Sequence, residues 1–270
     1  MSGAAGTGGS SGGGGGTPAR VILACEMMED EVLLALQQAF PAGDHPPLVW
    51  VESGLHDRPE KLQLALQALI DAIDAGIESG QTIVLPSVRP GIGSAESRRE
   101  WIETPPVDEV LLALGYCGKG LQGLVASRAT LVFPRVDDCI SLFLNSGCTR
   151  EDIPRDAQTY YLTKGWLCHQ SSAVDSYEMW QARHGPEKAL ELRKIMFAAY
   201  RRIALIDTGA YEVDESMPEA AARAEELGLD VGVVAGSIQL LVRLFAGPRD
   251  SEVQMVEPGT PITVMHLMAG

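Results

Sequence analysis

Residues 20–40, RVILACEMMEDEVLLALQQAF, decide how the rest of the chain is read. Val21-Ile22-Leu23-Ala24 is a short continuous apolar run, the pattern of a buried strand. Over 29–40 the apolar residues Val32, Leu33, Leu36 and Phe40 recur at helical spacing. The step from strand to helix, with Cys25 at the turn, is the unit from which α/β proteins are built.

Working outward, the same step recurs. Strands are predicted at 48–51 (LVWV), 82–85 (TIVL), 110–114 (VLLAL) and 130–133 (TLVF), and again at 160–162, 203–206 and 231–234. Helices are predicted over 62–75, where Leu64, Leu66, Leu69, Ile70 and Ile73 form a stripe, from Leu121, through Ile140 to Leu144, and over about 187–202, 219–227 and 238–245. Pro59 suits the first turn of the helix that it precedes, where its missing donor costs nothing. Residues 86–105, rich in Pro, Gly and Ser, read as a long surface excursion, a lid or an insertion. Residues 252–256 read as an edge strand within a tail over 251–270. Alternation of this kind predicts a mostly parallel, doubly wound, Rossmann-like sheet or sheets with helices on both faces. The globular part over 18–250 suggests two pseudo-related halves split near 150–200, although no residue-level repeat is visible.

Composition narrows the function classes. With 270 residues, 46% of them hydrophobic, the chain can bury a sizeable core. A net charge of -15 and a pI near 4.7 oppose attraction to nucleic acid or anionic lipid. No apolar run approaches a membrane span and no signal peptide is visible, so a cytoplasmic location is expected. Residues 1–17, dominated by Gly and Ser, are expected to form a disordered leader, since no burial can offset their ordering entropy. Five cysteines, an odd number and widely spaced, read as free thiols or ligands rather than disulfides.

In a parallel sheet, the loops leaving the carboxyl ends of the strands share one edge, and a crevice opens where the strand order reverses. Cys25, Cys117, Cys139 and Asp207 all follow predicted strands, so one shared site is expected. Cys139 also begins a predicted helix, whose dipole favours thiolate, the form that metals bind. Three thiolates could hold zinc, with His56 or water as fourth ligand, or three irons of an iron–sulfur cluster. Buried free cysteines acting as small hydrophobes are the plainer alternative.

His56, beside Asp57, is a candidate ligand or general acid/base, and Asp57 is a candidate cap for the following helix. Asp207 is a candidate assistant at the same site. Gly118, Lys119 and Gly120, within GYCGKG, are candidates for binding an anionic cofactor or substrate group, or else simply form a tight turn. One of Asp137 and Asp138 is expected to cap the helix that Cys139 opens. The aromatic cluster over 159–166, TYYLTKGW, reads as core packing or a pocket wall. Cys148, Cys168 and His169 fall outside the strand-end pattern.

Several of these stretches together resemble the uncharacterised bacterial and archaeal family known as domain of unknown function 1638. They are AC at 24–25, GLHDRPEKL at 54–62, GYCGKGLQGL at 115–124, FPRVDDCISLFL at 133–144, TYYLTKGW at 159–166, IDTG at 206–209 and EPG at 257–259. The chain departs from the resemblance at Asp138, where other members are expected to carry His before the Cys. The resemblance implies no established activity. It implies a link to one-carbon metabolism, through an association with corrinoid-dependent methyltransferases. The functional expectation is a zinc or iron–sulfur protein acting on a small-molecule substrate. The alternative is a non-catalytic partner that delivers a small molecule or metal to a methyltransferase or its corrinoid protein.

Overall fold

The computed structural model describes residues 17–56, 58–91, 96–145, 147, 150–169, 176–247 and 249–268. All but the last residue of the expected leader, and also Asp57 and Cys148, lie outside the described residues. The first elements are β1 (Arg20–Cys25), α1 (Glu29–Ala39), β2 (Leu48–Val51), α2 (Pro59–Ser79), β3 (Ile83–Val88), β4 (Arg99–Thr104), β5 (Glu109–Ala113), β6 (Thr130–Pro134) and α3 (Cys139–Leu144). They are followed by β7 (Thr159–Leu162), α4 (Lys164–Cys168), α5 (Ser176–His184), α6 (Pro186–Phe197), β8 (Arg202–Asp207), α7 (Val213–Leu227), β9 (Asp230–Ala235), α8 (Gln239–Ala246), β10 (Val253–Val256) and α9 (Met265–Met268).

The main sheet runs β10-β6-β5-β1-β2, with β1, β2, β5 and β6 parallel and β10 antiparallel at the edge. A second, parallel sheet runs β7-β8-β9. The fold is therefore mixed α/β, mostly parallel and Rossmann-like, as the alternating pattern predicts. Val21 to Ala24 and Val110 to Ala113 are wholly buried, which is why β1 and β5 read as unbroken apolar runs rather than alternating ones.

One topological detail positions everything that follows. The chain passes from β1 to β2 on one side and then returns to place β5 on the other side of β1. The strand order reverses between β1 and β5, so a crevice opens at their carboxyl ends. The second sheet is tied to this edge. Lys164 at the start of α4 pairs with Asp30 of α1 at 3.0 Å. Gly165 lies so close to the turn after β1 that a Cβ there would sit 1.7 Å from the Met27 carbonyl oxygen.

Three expectations need correction. Within the expected excursion over 86–105, residues 86–88 and 99–104 are strand: β3 and β4 pair antiparallel, with Pro86 opposite Trp101. The polar alternation of REWIET, and an edge position that tolerates proline, outweigh the turn-rich composition. No helix starts at Leu121. Gly123 has φ +85°, its N–H donates to Ile262 O, and Ile262 N–H returns to Leu124 O, so the segment pairs with the C-terminal tail instead. The helix expected over 187–202 is α6 and stops at Phe197, short of β8, and a further helix, α5, precedes it across Gly185 at φ +82°.

Two predictions follow from buried carboxylates. Asp74 of α2 accepts the N–H groups of Ser127, Arg128 and Ala129 and the Ser127 hydroxyl, pinning the loop that enters β6. Asp74→Ala should cost about 2 kcal/mol in urea unfolding, because four donors, one buried and three part-buried, lose their acceptor; a loss within about 0.5 kcal/mol would show that water replaces the carboxylate. Glu31 is nearly fully buried and burial raises its pKa from 4.5 to about 7, against the hydrogen bond from Thr208. The folded state then holds a proton that the unfolded chain has released, so stability should fall as pH rises from 4.5 to 7 and level off above. Glu31→Gln should flatten that window, and an unaltered pH profile would refute the assignment.

Candidate thiolate site

The crevice is real and holds sulfur. A cavity of about 250 Å³ is lined by Cys25, Cys117 and Cys139 together with His56, Glu52 and Asp138; Met27, Leu62, Leu114, Ile140 and Trp166 supply its apolar wall. Cys25 is the last residue of β1, Cys117 stands in the loop after β5 and Cys139 in the loop after β6. All three are buried and free of disulfides.

The contact between the two loops is made by backbone. Tyr116 N–H donates to Val136 O at 3.0 Å and Cys117 N–H to Asp137 O at 2.9 Å. Gly115 allows this, since a Cβ there would lie 2.4 Å from the Asp138 Cα. Cys117, at φ +45°, turns its sulfur to within 3.6 Å of Cys139 Sγ. Gly115 N–H also donates to Cys139 Sγ, at 3.4 Å.

The thiols are electrostatically unequal. The hydrogen bond from Cys117 is the main cause that lowers the Cys139 pKa below the ordinary thiol value; the Gly115 amide and His56 add to it, while burial and Asp138 oppose it. The same hydrogen bond, then burial, raises Cys117 well above that value. Cys25 is also raised, first by burial and then by Cys139. Cys139 is therefore the more acidic thiol of the pair, with Cys117 placed to donate to it. Asp138 caps α3, accepting Ser141 N–H at 2.7 Å, and also pairs with Arg155, so the acid next to the thiolate is engaged elsewhere. Asp137 pairs with Arg150 at 2.6 Å.

His56 is brought to the cavity at the end of a short turn, its Nδ1 hydrogen-bonded to the Ser53 carbonyl and its ring 6.4 Å from that of Trp166. A carbonyl partner assigns the proton to Nδ1 and the lone pair to Nε2. Asp207 is not brought there. It ends β8 in the second sheet, where its carboxylate accepts Gly209 N–H at 3.1 Å and its carbonyl accepts Gly236 N–H. Strand ends share an edge only within one sheet, and Asp207 belongs to the other.

The glycine loop divides in role. Gly118 lines the cavity, whereas a Cβ on Gly120 would meet Leu62 Cδ2 at 2.6 Å, so Gly120 serves packing against α2. Lys119 faces a neighbouring cavity rather than this one. Trp166, in the cluster read mainly as core, forms part of the wall. Glu52 and Met27 carry no spacing signal and were legible only as neighbours of a strand end. Cys168 is exposed and lies outside the cavity. Among the described residues, no group of three or more His, Cys, Asp or Glu side chains is already arranged to hold a metal ion.

The profile of the family described as "Protein of unknown function (DUF1638)" matches residues 50–245, more than two thirds of the sequence. The chain belongs to that family. No curated protein and no solved structure matches it. The DUF1638 match spans Cys117, Cys139, His56 and Trp166; Cys25 precedes it. Among the described residues, no helix is long and apolar enough to cross a membrane.

The unequal thiols can be tested directly. In a Cys168→Ser background without metal, iodoacetamide should label Cys139 before Cys25 and Cys117 near neutral pH. Cys117→Ala should raise the Cys139 pKa and slow its labelling several-fold at pH 7. Peptide mapping that finds Cys25 or Cys117 modified first would reverse the assignment.

Proposed function

We propose that this DUF1638 protein binds a metal through Cys25, Cys117 and Cys139, zinc rather than an iron–sulfur cluster, and uses it on a small-molecule substrate. The observation that carries the reading is the 3.6 Å separation of the Cys117 and Cys139 sulfurs, on a cavity that Cys25 and His56 also line. Two sulfur ligands of tetrahedral zinc, each about 2.3 Å from the metal, are about 3.8 Å apart. Cluster ligands stand wider, and widening this pair would require the loops to part at Gly115, where backbone packs on backbone. The third sulfur, on Cys25, has to turn toward the pair, since no three-ligand group is arranged in advance.

A zinc ion bound there would act as a Lewis acid and lower the pKa of a group coordinated at the open position. In this reading His56 is the fourth ligand or the proton acceptor beside it. Leu62, Ile140 and Trp166 keep bulk water from the thiolates and restrict the cavity to a small reactant. A link to corrinoid-dependent methyl transfer, with a methyltransferase or corrinoid protein as partner, enters the proposal from the family resemblance alone. A second reading, catalysis by Cys139 as a nucleophile with His56 as base, is favoured by the lowered Cys139 pKa.

Metal analysis of protein purified anaerobically, followed by zinc titration against a competing chelator, tests the first reading. One zinc per chain is expected, with affinity rising as pH rises, because Cys25 and Cys117 must release protons to bind. Cys139→Ser should weaken zinc by more than about 100-fold, beyond what losing an outer-shell partner costs, while Cys168→Ser should not. A colourless protein whose stability zinc leaves unchanged would rule out the metal and leave the nucleophile.

A further inference from the structure

A larger cavity, about 670 Å³, opens between the start of α2 and the turn after β5. It adjoins the thiol cavity, and Gly118 lines both. Among the described residues, its wall carries three cations, Arg58, Lys61 and Lys119, against one carboxylate, Glu60. In a chain with 36 acidic and 21 basic residues, a cluster of this sign runs against the overall charge. Most arginines elsewhere are neutralised: Arg20 by Glu109, Arg98 by Glu26, Arg128 by Glu78, Arg150 by Asp137. Among the described residues, no ion pair involves Arg58, Lys61 or Lys119. Three like charges facing one cavity repel one another, a cost that an anion between them would reverse.

The local backbone keeps these groups in place. Lys119 holds φ +86°, a conformation uncommon for a residue with a side chain. Arg58, at the start of α2, makes no side-chain cap, so the first-turn dipole adds to the positive field of the three side chains. A monocarboxylate would leave most of this charge unbalanced, whereas a phosphoryl dianion matches it. The volume lies within the range of small-ligand sites.

We propose that this cavity anchors the phosphoryl group of a small phosphate ester whose other end passes Gly118 into the thiol cavity. That the second end is the reacting one rests on the function proposed above; the anchoring does not. Gly118 is the residue that both linings share, and a Cβ there would stand 3.3 Å from Pro59 Cγ, so a side chain at this position would crowd the shared wall.

Calorimetry on the full chain with inorganic phosphate, phenyl phosphate and malonate tests the anchor. Saturable, one-to-one binding of phosphate and of phenyl phosphate is expected, each tighter than malonate. Lys61→Gln and Lys119→Gly should each weaken it about tenfold, the second without disturbing a backbone that glycine adopts freely. Arg128→Gln, which removes a cation paired elsewhere, should leave it unchanged. Absence of saturable binding, tighter malonate, or an equal loss in Arg128→Gln overturns the proposal. Cys139→Ser should keep phosphate binding even as it loses zinc, which separates failure of the anchor from failure of the metal. Phenyl phosphate, but not inorganic phosphate, should slow alkylation of Cys139; equal rates with both would refute passage past Gly118.

Discussion

At the crevice two loops pack backbone on backbone, where Gly115 lies on Asp138 with no room for a side chain. Because the β5 loop rests directly on the β6 loop, two amide-to-carbonyl bonds join them and Gly115 points its own N–H at Cys139 Sγ. The proximity of Cys117 and Cys139 is thus set by main-chain packing rather than by the rotamers of two side chains. Such rigidity is what a binding or reacting group needs, since misplacement by about 1 Å can cost 100-fold in rate.

Burial gives that geometry chemical weight. Away from water a charged thiolate is costly unless donors surround it, and here Cys117 and Gly115 supply them to Cys139, which lowers its pKa while those of Cys25 and Cys117 are raised. Asp138 would add a repulsive charge beside the sulfur. Its engagement with Ser141 N–H and Arg155 makes it a helix cap. The second sheet contributes by proximity: Gly165 seats α4 on the Met27 carbonyl, and that contact delivers Trp166 to the cavity wall.

The acidic surface and the cationic cavity belong to the same account. In a chain carrying a net charge of -15, the local cluster formed by Arg58, Lys61 and Lys119 is a region of opposite sign, which would draw an anion to this face if one binds. The adjoining thiol cavity is less than half as large and mostly apolar. Together they describe a site with a charged mouth and a small sulfur-lined end.

Local pattern was enough for most strands and most helices, because β1, β5 and β6 are buried on both faces and read as unbroken apolar runs, while α2 carries a regular stripe. It was also enough to place Cys25, Cys117 and Cys139 at strand ends. The hairpin of β3 and β4 was hidden because cross-strand pairing overrode a turn-rich composition, and the absent helix after Gly120 because the C-terminal tail claimed its backbone hydrogen-bonding groups. Sheet membership was decided only in three dimensions: Asp207 has the same local context as the cysteines but ends a strand of another sheet. Sequence determines which residues sit at strand ends; tertiary structure decides which ends meet, because strand order depends on contacts between segments that no local spacing encodes.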